Sequence, residues 1–435
     1  MQVRTFKAFD EVDKPSDDLI SDCVHCGFCL SACPTYRETG NELDSPRGRI
    51  YLMKSASEGK IPMGGALVKH LDMCLGCLAC EPACPSGVRY GTLIEASRSQ
   101  IERRYERTFS ENLRRSVIFS LFPYPGRLKL LLPLLYLYQK LGIRKFAEST
   151  GIMKAISPTL ARMDEMLPDV DSPSVPRSIA DTVPARGERR FRAALLTGCV
   201  QSVFFSRTNE ATVRVLAENG CEVVIPRDQG CCGALSVHSG RLSEGRGFAR
   251  SLMKKFEHPG IDAIIVNSAG CGSTMKNYGE ILKDDPAFAE RAHKISARTR
   301  DVMEFLADIG LTGKLNELNL KITYQDACHL GHAQRIKEQP RAVLKRIPGI
   351  EFQELPESDL CCGSAGIYNM VEPEMSGRLL ERKIKHLKET TADYIVAGNP
   401  GCLLQIRKGI KQHGLDIKTA HPVELLDWSY RKPAL

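Results

Sequence analysis

The chain has 435 residues, 43% hydrophobic and 26% charged, which suits two or three globular domains and excludes a lone small ferredoxin. Its net charge of +8 equals the excess of eleven Lys/Arg over three Asp/Glu between Arg98 and Lys145, so the rest of the chain is balanced. A basic surface spread along a recognisable nucleic-acid module is absent, which argues against nucleic acid as a partner.

The opening stretch Met1-Gln2-Val3-Arg4-Thr5-Phe6-Lys7 lacks an apolar h-region, so the expected compartment is the cytoplasm. There thiols stay reduced, and seventeen clustered cysteines, an odd number, read as metal ligands rather than disulfides. Residues 1–22 are polar and aperiodic. Cys23-Val24-His25-Cys26-Gly27-Phe28-Cys29-Leu30-Ser31-Ala32-Cys33-Pro34 follows, then Cys74-Leu75-Gly76-Cys77-Leu78-Ala79-Cys80-Glu81-Pro82-Ala83-Cys84-Pro85. Both are C-x₂-C-x₂-C-x₃-C-P, the run of two-cluster bacterial ferredoxins, and they predict two [4Fe–4S] clusters. Three thiolates at steps of three wrap one corner of a cube, while the fourth points to the neighbouring cube. Cys23, Cys26, Cys29 and Cys84 are therefore assigned to cluster 1, and Cys74, Cys77, Cys80 and Cys33 to cluster 2. A structural zinc site is the competing reading, but it needs neither three evenly spaced cysteines nor a trailing proline. His25 lies among ligands already complete and receives no role.

From about Gly91 the pattern turns helical, with Ile94, Ile101 and Tyr105 on one face. The apolar run Leu130-Leu131-Leu132-Pro133-Leu134-Leu135 is far short of the roughly 20 residues of a spanning helix. This basic, apolar segment reads either as a docking face for a partner or an anionic membrane surface, or as a plain connector. Pro158, Pro168, Pro173, Pro176 and Pro184 mark residues 157–190 as a linker or extended wrap.

Beyond it the chain repeats. Cys199 is matched by Cys328, Cys231-Cys232-Gly233 by Cys361-Cys362-Gly363, and Cys271 by Cys402, at offsets of 129, 130 and 131 residues; Gly220 matches Gly349 and Pro226 matches Pro356. In each repeat apolar runs such as Ala193–Leu196, Val223–Ile225 and Ile264–Val266, or Lys321–Tyr324 and Tyr394–Val396, alternate with helical stretches, as in a parallel sheet. The cysteines follow strands and should gather at one sheet edge. Cys199, Cys231, Cys232 and Cys271, and likewise Cys328, Cys361, Cys362 and Cys402, are candidate metal ligands. Adjacent cysteines are strained as a disulfide but can ligate two irons. Cys221 is matched by Ile350 and reads as core. His329 and His332 have no counterparts and read as hydrogen-bonded structural residues or as a site peculiar to the second repeat.

No glycine-rich dinucleotide fingerprint or phosphate loop occurs, so neither FAD nor NAD is expected here and no residue is assigned a catalytic role. The expected fold is α+β: a mostly helical two-cluster ferredoxin-like domain (1–105), a basic Pro-rich connector (106–190), and two tandem α/β repeats with parallel sheets (191–318 and 319–435).

The duplicated pattern resembles the cysteine-rich CCG domain of heterodisulfide reductase subunits, whose fullest form closes with C-x-x-C and holds a non-cubane cluster. Here Ser268 and Asn399 replace the first cysteine of that pair, which leaves a cubane-like cluster, a labile cluster or none as the alternatives for each repeat. Nearly the whole chain resembles the iron–sulfur subunits of glycolate oxidase (glycolate dehydrogenase). The resemblance lies in Cys23–Cys29, Asp44-Ser45-Pro46-Arg47-Gly48-Arg49-Ile50-Tyr51, Cys84-Pro85-Ser86-Gly87-Val88-Arg89-Tyr90 and Asp359-Leu360-Cys361-Cys362-Gly363-Ser364-Ala365-Gly366. It implies FAD-binding partner subunits that oxidise glycolate to glyoxylate, with electrons passing through this chain to a quinone or other acceptor; peripheral contact with the inner face of the membrane is an expectation from the basic segment Arg98–Lys145 instead. Heterodisulfide-reductase-like chemistry, or the equivalent subunit of a lactate or glycerol 3-phosphate dehydrogenase, is the alternative.

Overall fold

The computed structural model describes residues 6–431 apart from 158–160, 162–163, 166, 171 and 175–178, so Pro158 and Pro176 lie outside the described residues. Pro34 and Pro46 each open a helix at its first turn, where their missing amides cost nothing: α1 (Pro34–Thr39) and α2 (Pro46–Ser57). Ser45 caps α2, its hydroxyl accepting from the Gly48 amide at 3.0 Å. Gly48 is obligatory there, since a Cβ would sit 2.0 Å from the Glu42 carbonyl. With α3 (Gly65–Asp72) and α4 (Tyr90–Arg104), α2 buries Met53, Leu71, Leu93, Ile94 and Ile101 in an N-terminal core that includes Cys74 and Cys80. Tyr105 departs from the expected buried face because it is the extended C-cap of α4 and turns outward.

The connector is helical: α5 (Phe109–Leu121), α6 (Pro125–Lys140) and α7 (Ile143–Thr150). The chain then returns as a short strand, β1 (Thr182–Val183), on the edge of the first sheet.

Each repeat is a small doubly wound unit. In the first, β2 (Phe191–Leu195), β3 (Cys221–Val224), β4 (Ala263–Val266) and β5 (Thr299–Asp301) lie parallel in the order β3-β2-β4-β5, with β1 antiparallel outside β3. In the second, β6 (Leu320–Tyr324), β7 (Ile350–Glu354), β8 (Tyr394–Val396) and β9 (Lys418–Ala420) repeat the order as β7-β6-β8-β9, all parallel. β3 starts at Cys221 and ends at Val224, and the Ile225 amide extends the pairing with β1 by donating to the Asp181 carbonyl at 2.8 Å. Cys221 is fully buried in the core shared by both sheets. The crossover helices α8 (Ser206–Glu218), α9 (Leu242–Phe256) and α10 (Pro373–Lys388) cover the faces, and α11 (Pro400–Gln412) follows β8. Among the described residues no helix is long and apolar enough to cross a membrane.

Candidate metal centre

The two N-terminal cysteine loops have opposite surroundings. Cys26 is exposed and Cys23 and Cys29 half-buried, with Val24 and Phe28 more than two-thirds exposed beside them. Cys33, Cys74, Cys77 and Cys80 are all buried. The seventeen thiols are free. Left-handed residues shape both loops: Gly27 and His25 in the first, Gly76 and Leu78 in the second.

Electrostatic neighbours cross between the loops. Cys84 acts on Cys23, while Cys33 acts on Cys77 and Cys80. Burial pushes Cys77 and Cys80 well up, and crowding by neighbouring thiols adds to it. Cys74 goes the other way. Burial opposes its thiolate, yet the Arg49 and Arg98 guanidiniums, the Tyr90 hydroxyl and the Gly76 amide outweigh it and hold the thiol low.

Arg49 is the residue that sequence reasoning missed. It is fully buried; its Nε donates to the His70 carbonyl at 2.7 Å and Nη2 to Thr35 at 2.9 Å, while Nη1 stands 3.9 Å from Cys33 Sγ. Asp44 lies 3.8 Å from it and bonds His70 at 2.7 Å. The signal available was the stretch Asp44–Tyr51 itself, where an arginine occupies an apolar helix face. Arg47, two residues earlier and so on the other side of α2, bonds the His25 carbonyl at 3.0 Å and closes over Gly27 from the exposed side.

Four buried thiols, two left-handed turns and a buried cation compose a donor set suited to an anionic cluster, which a single divalent ion would not require. Among the described residues no three His, Cys, Asp or Glu side chains converge tightly enough for one metal ion. A cube spreads its thiolates wider than the tetrahedron around one ion.

All eight repeat cysteines line one cavity of about 760 Å³ between the two repeats, α4, α5 and α6. Within each repeat the thiols pack closely, Cys199 and Cys231 at 3.6 Å. Sulfur donors from neighbouring cysteines hold Cys231 and Cys362 low, while Cys199, Cys232, Cys361 and Cys402 are pushed up. Ser268 and Asn399, which stand in the C-x-x-C positions, meet each other at the repeat boundary at 3.4 Å. Asn399 also donates to Cys402 Sγ at 3.4 Å.

The second repeat touches the N-terminal loops directly. Leu75, Cys77 and Ala79 pack with Cys361, Tyr368, Met375 and Leu379, and the Tyr368 hydroxyl donates to the Met73 carbonyl at 2.8 Å. His329 bridges three regions: Nε2 donates to the Gly76 carbonyl at 3.1 Å, and Nδ1 accepts from Ser273 at 2.8 Å. Burial and the His238 ring lower its pKa to about 3, so it is neutral. His332 is buried, its Nε2 donating to the Asp359 carbonyl at 2.9 Å. His238 pairs with Glu95 at 2.8 Å on the cavity wall.

Family models agree with this division. Residues 19–88 match a 4Fe-4S dicluster domain, residues 193–276 and 322–407 a cysteine-rich domain, and residues 110–167 the linker region of the glycolate oxidase iron–sulfur subunit. The chain is 40% identical over 414 residues to a probable glycolate oxidase iron–sulfur subunit of Bacillus subtilis (strain 168), covering 93% of this chain and 92% of that one. It is 34% identical to the glycolate oxidase iron–sulfur subunit of Escherichia coli (strain K12), covering 89% of each. A fumarate reductase (CoM/CoB) subunit of Methanothermobacter marburgensis is 27% identical, with 94% of this chain and 72% of that one covered.

Proposed function

The chain belongs to the family of glycolate oxidase iron–sulfur subunits, and from that premise we propose that it carries electrons from FAD-binding partner subunits, which oxidise glycolate, to an acceptor. The observation that carries this reading is the pair of C-x₂-C-x₂-C-x₃-C-P loops, one exposed and one buried, packed against a second cysteine-rich region. Bound iron–sulfur clusters supply one-electron carriage.

The protein's own residues set the order. Cys23, Cys26, Cys29 and Cys84 would hold cluster 1 near the surface, where Phe28 and Val24 offer a partner flavoprotein an apolar rim. Cys33, Cys74, Cys77 and Cys80 would hold cluster 2 in the interior. Cys84 lies close enough to act on Cys23, and Cys33 on Cys77 and Cys80, which supports the crossed assignment; Cys33 also acts on Cys29 in its own loop. Arg49 keeps a fixed positive charge beside the inner set, which favours its more reduced, more negative state, as Arg47 does beside the outer one. Next to Cys77 lie Cys328 and Cys361, the first thiols of the second repeat that an outgoing electron would meet. The chain divides functionally near 105, 190 and 318, with 106–190 joining the cluster loops to the repeats. We place the complex in the cytoplasm, peripheral on the inner membrane face, with a quinone as acceptor.

Anaerobic purification with iron and sulfide analysis, plus EPR of the reduced chain, tests this. About eight irons with two interacting cubane signals are expected from the N-terminal loops, and about sixteen if each repeat also holds a cube. Glycolate should reduce the signals only when the flavoprotein partners are present. An iron-free chain that still supports glycolate oxidation in its complex overturns the proposal.

A further inference from the structure

The two cluster loops share one peptide geometry and complete it from different places. His25 and Gly76 each precede the second cysteine of their motif, and both are left-handed, at φ +55° and +63°. The carbonyl of each accepts from a donor outside its own loop. For His25 the donor is Arg47 of the same domain, at 3.0 Å; for Gly76 it is Nε2 of His329 in the second repeat, at 3.1 Å.

Neighbouring carbonyls of the inner loop are held in the same manner. Tyr368 donates to Met73 at 2.8 Å. Arg98 donates to Cys74 with one nitrogen and, at 2.8 Å, to the His238 carbonyl of the first repeat with another. A trans peptide points its amide opposite to its carbonyl, so donors on the Cys74 and Gly76 carbonyls commit the Leu75 and Cys77 amides to the other side. Between them the Gly76 amide donates to Cys74 Sγ at 3.3 Å. Hydrogen bonds and dipoles around the sulfurs are what a protein uses to set a cluster's potential.

His329 is peculiar to the second repeat. In the first, valine stands at 200 and opens the α-helical turn Val200–Phe204. His329 instead opens a π-turn, His329–Ala333, a geometry that recurs at functional sites. Its tautomer is fixed from the first repeat. A carbonyl only accepts, so Nε2 carries the ring proton; the ring is neutral, so Nδ1 is bare and takes the Ser273 hydroxyl at 2.8 Å. That hydroxyl's other acceptor, the Gly270 carbonyl, lies farther, at 3.1 Å. Ser273, His329 and Gly76 therefore form one line of hydrogen bonds through both repeats into the inner loop.

We propose that His329 is a positioning residue for electron transfer: by holding the Gly76 peptide, in the tautomer that Ser273 selects, it raises the reduction potential of the inner cluster. The inference rests on the electron-transfer reading above and adds to it a residue and a dependence. The outer loop receives its donor from its own domain, whereas the inner loop receives one only when both repeats are docked. A chain with undocked repeats has an inner cluster that is harder to reduce.

EPR-monitored redox titration of the anaerobically purified chain tests this, with the outer signal identified as the one that Cys26→Ser alters. At the potential where half of the wild-type inner cluster is reduced, His329→Leu should lower its reduced-to-oxidised ratio about ten-fold, which is about 59 mV for one electron. The outer ratio should stay within about two-fold. His329→Gln keeps an amide donor and should return the inner ratio to within about three-fold of wild type. Ser273→Ala touches neither loop but frees the tautomer, and should lower the inner ratio about three-fold. Hydrogen exchange over 73–80 should quicken in His329→Leu and not in His329→Gln. An unmoved inner ratio in His329→Leu overturns the proposal. So does an equal shift of both clusters, or a His329→Gln chain as impaired as His329→Leu, because packing alone then explains the residue. Should His329→Leu fail to retain iron, Ser273→Ala decides, and a wild-type ratio there overturns the proposal. A wild-type chain without clusters would instead strike the electron-transfer reading, and this inference with it.

Discussion

The two repeats share a backbone and differ in charge. Gly233 and Gly363 have φ values of +85° and +86°, and an added Cβ would meet the backbone of Gly245 at 2.8 Å and of Ser376 at 2.6 Å. That correspondence sets Leu252 opposite Lys383, each seven residues further along its helix. Leu252 is a buried core leucine; Lys383 is equally buried, donates to the Glu357 carbonyl and stands close enough to Cys362 and Cys361 to act on both. The helices after the last strands are capped alike by different chemistry. Asp301 accepts from the Met303 amide at 2.8 Å, and His421 Nδ1 accepts from the Val423 amide at 3.2 Å. Duplication preserved what the turns and caps require geometrically, while the electrostatics of the interior specialised. The specialised copy is the one that packs on the inner cluster loop.

The largest test of this comparison is exchange. Leu252→Lys places an ammonium in a core that offers it no partner, and chemical unfolding of the chain should show a loss of about 5 kcal/mol. Lys383→Leu, the reverse change, should cost less, about 2 kcal/mol, because it removes a desolvated ammonium and leaves the Glu357 carbonyl without its donor. Equal losses would mean the repeats are not electrostatically distinct.

The caps should titrate in opposite directions. Burial raises Asp301 from 3.8 to about 7, so its contribution is complete below pH 3.8 and is lost as pH rises through 7. Burial lowers His421 from 6.5 to about 3, so its contribution is complete above pH 6.5 and is lost as pH falls through 3. Each is on the order of 4 kcal/mol at its limit. Asp301→Asn should flatten the neutral side of the stability–pH curve and His421→Asn the acid side; a shared response would refute the opposition.

Where the copies agree, substitutions should agree as well. Gly233→Ala and Gly363→Ala each force a Cβ into backbone at a left-handed position, and each should cost about 3 kcal/mol. A difference above about 1 kcal/mol between them would show that one turn has relaxed.

Much of this molecule is legible in its sequence because the informative residues are local. Spacings of three in Cys23–Cys33 and Cys74–Cys84 need only a few turns of backbone to acquire meaning. The constant offset from Cys199 to Cys328 exposes the duplication, and alternating apolar runs give the parallel sheets. What stays hidden depends on meetings between distant segments. No periodicity tells that Ser268 and Asn399 face each other, that His329 reaches Gly76, or that both sets of repeat cysteines open onto one cavity. Arg49 is only half legible for a related reason: its place on an apolar helix face is a signal, but its burial against Cys33 is a meeting of distant segments. The leucines of α6 are legible only in part: the sequence marks a basic, apolar segment, and the structure adds that Leu130, Leu134 and Leu137 are the exposed ones.

The contact between Tyr368 and Met73 joins residues 295 positions apart. At ribosomal rates of about 5–20 residues per second, the inner cysteine loop is made roughly 15–60 s before the segment that seals it. Cys77, which packs against Cys361 and Tyr368, is thus reachable from outside during synthesis and shut in afterwards. Assembly proteins that deliver iron and sulfide have a window set by translation, and a finished chain that missed it must open its second repeat to be repaired.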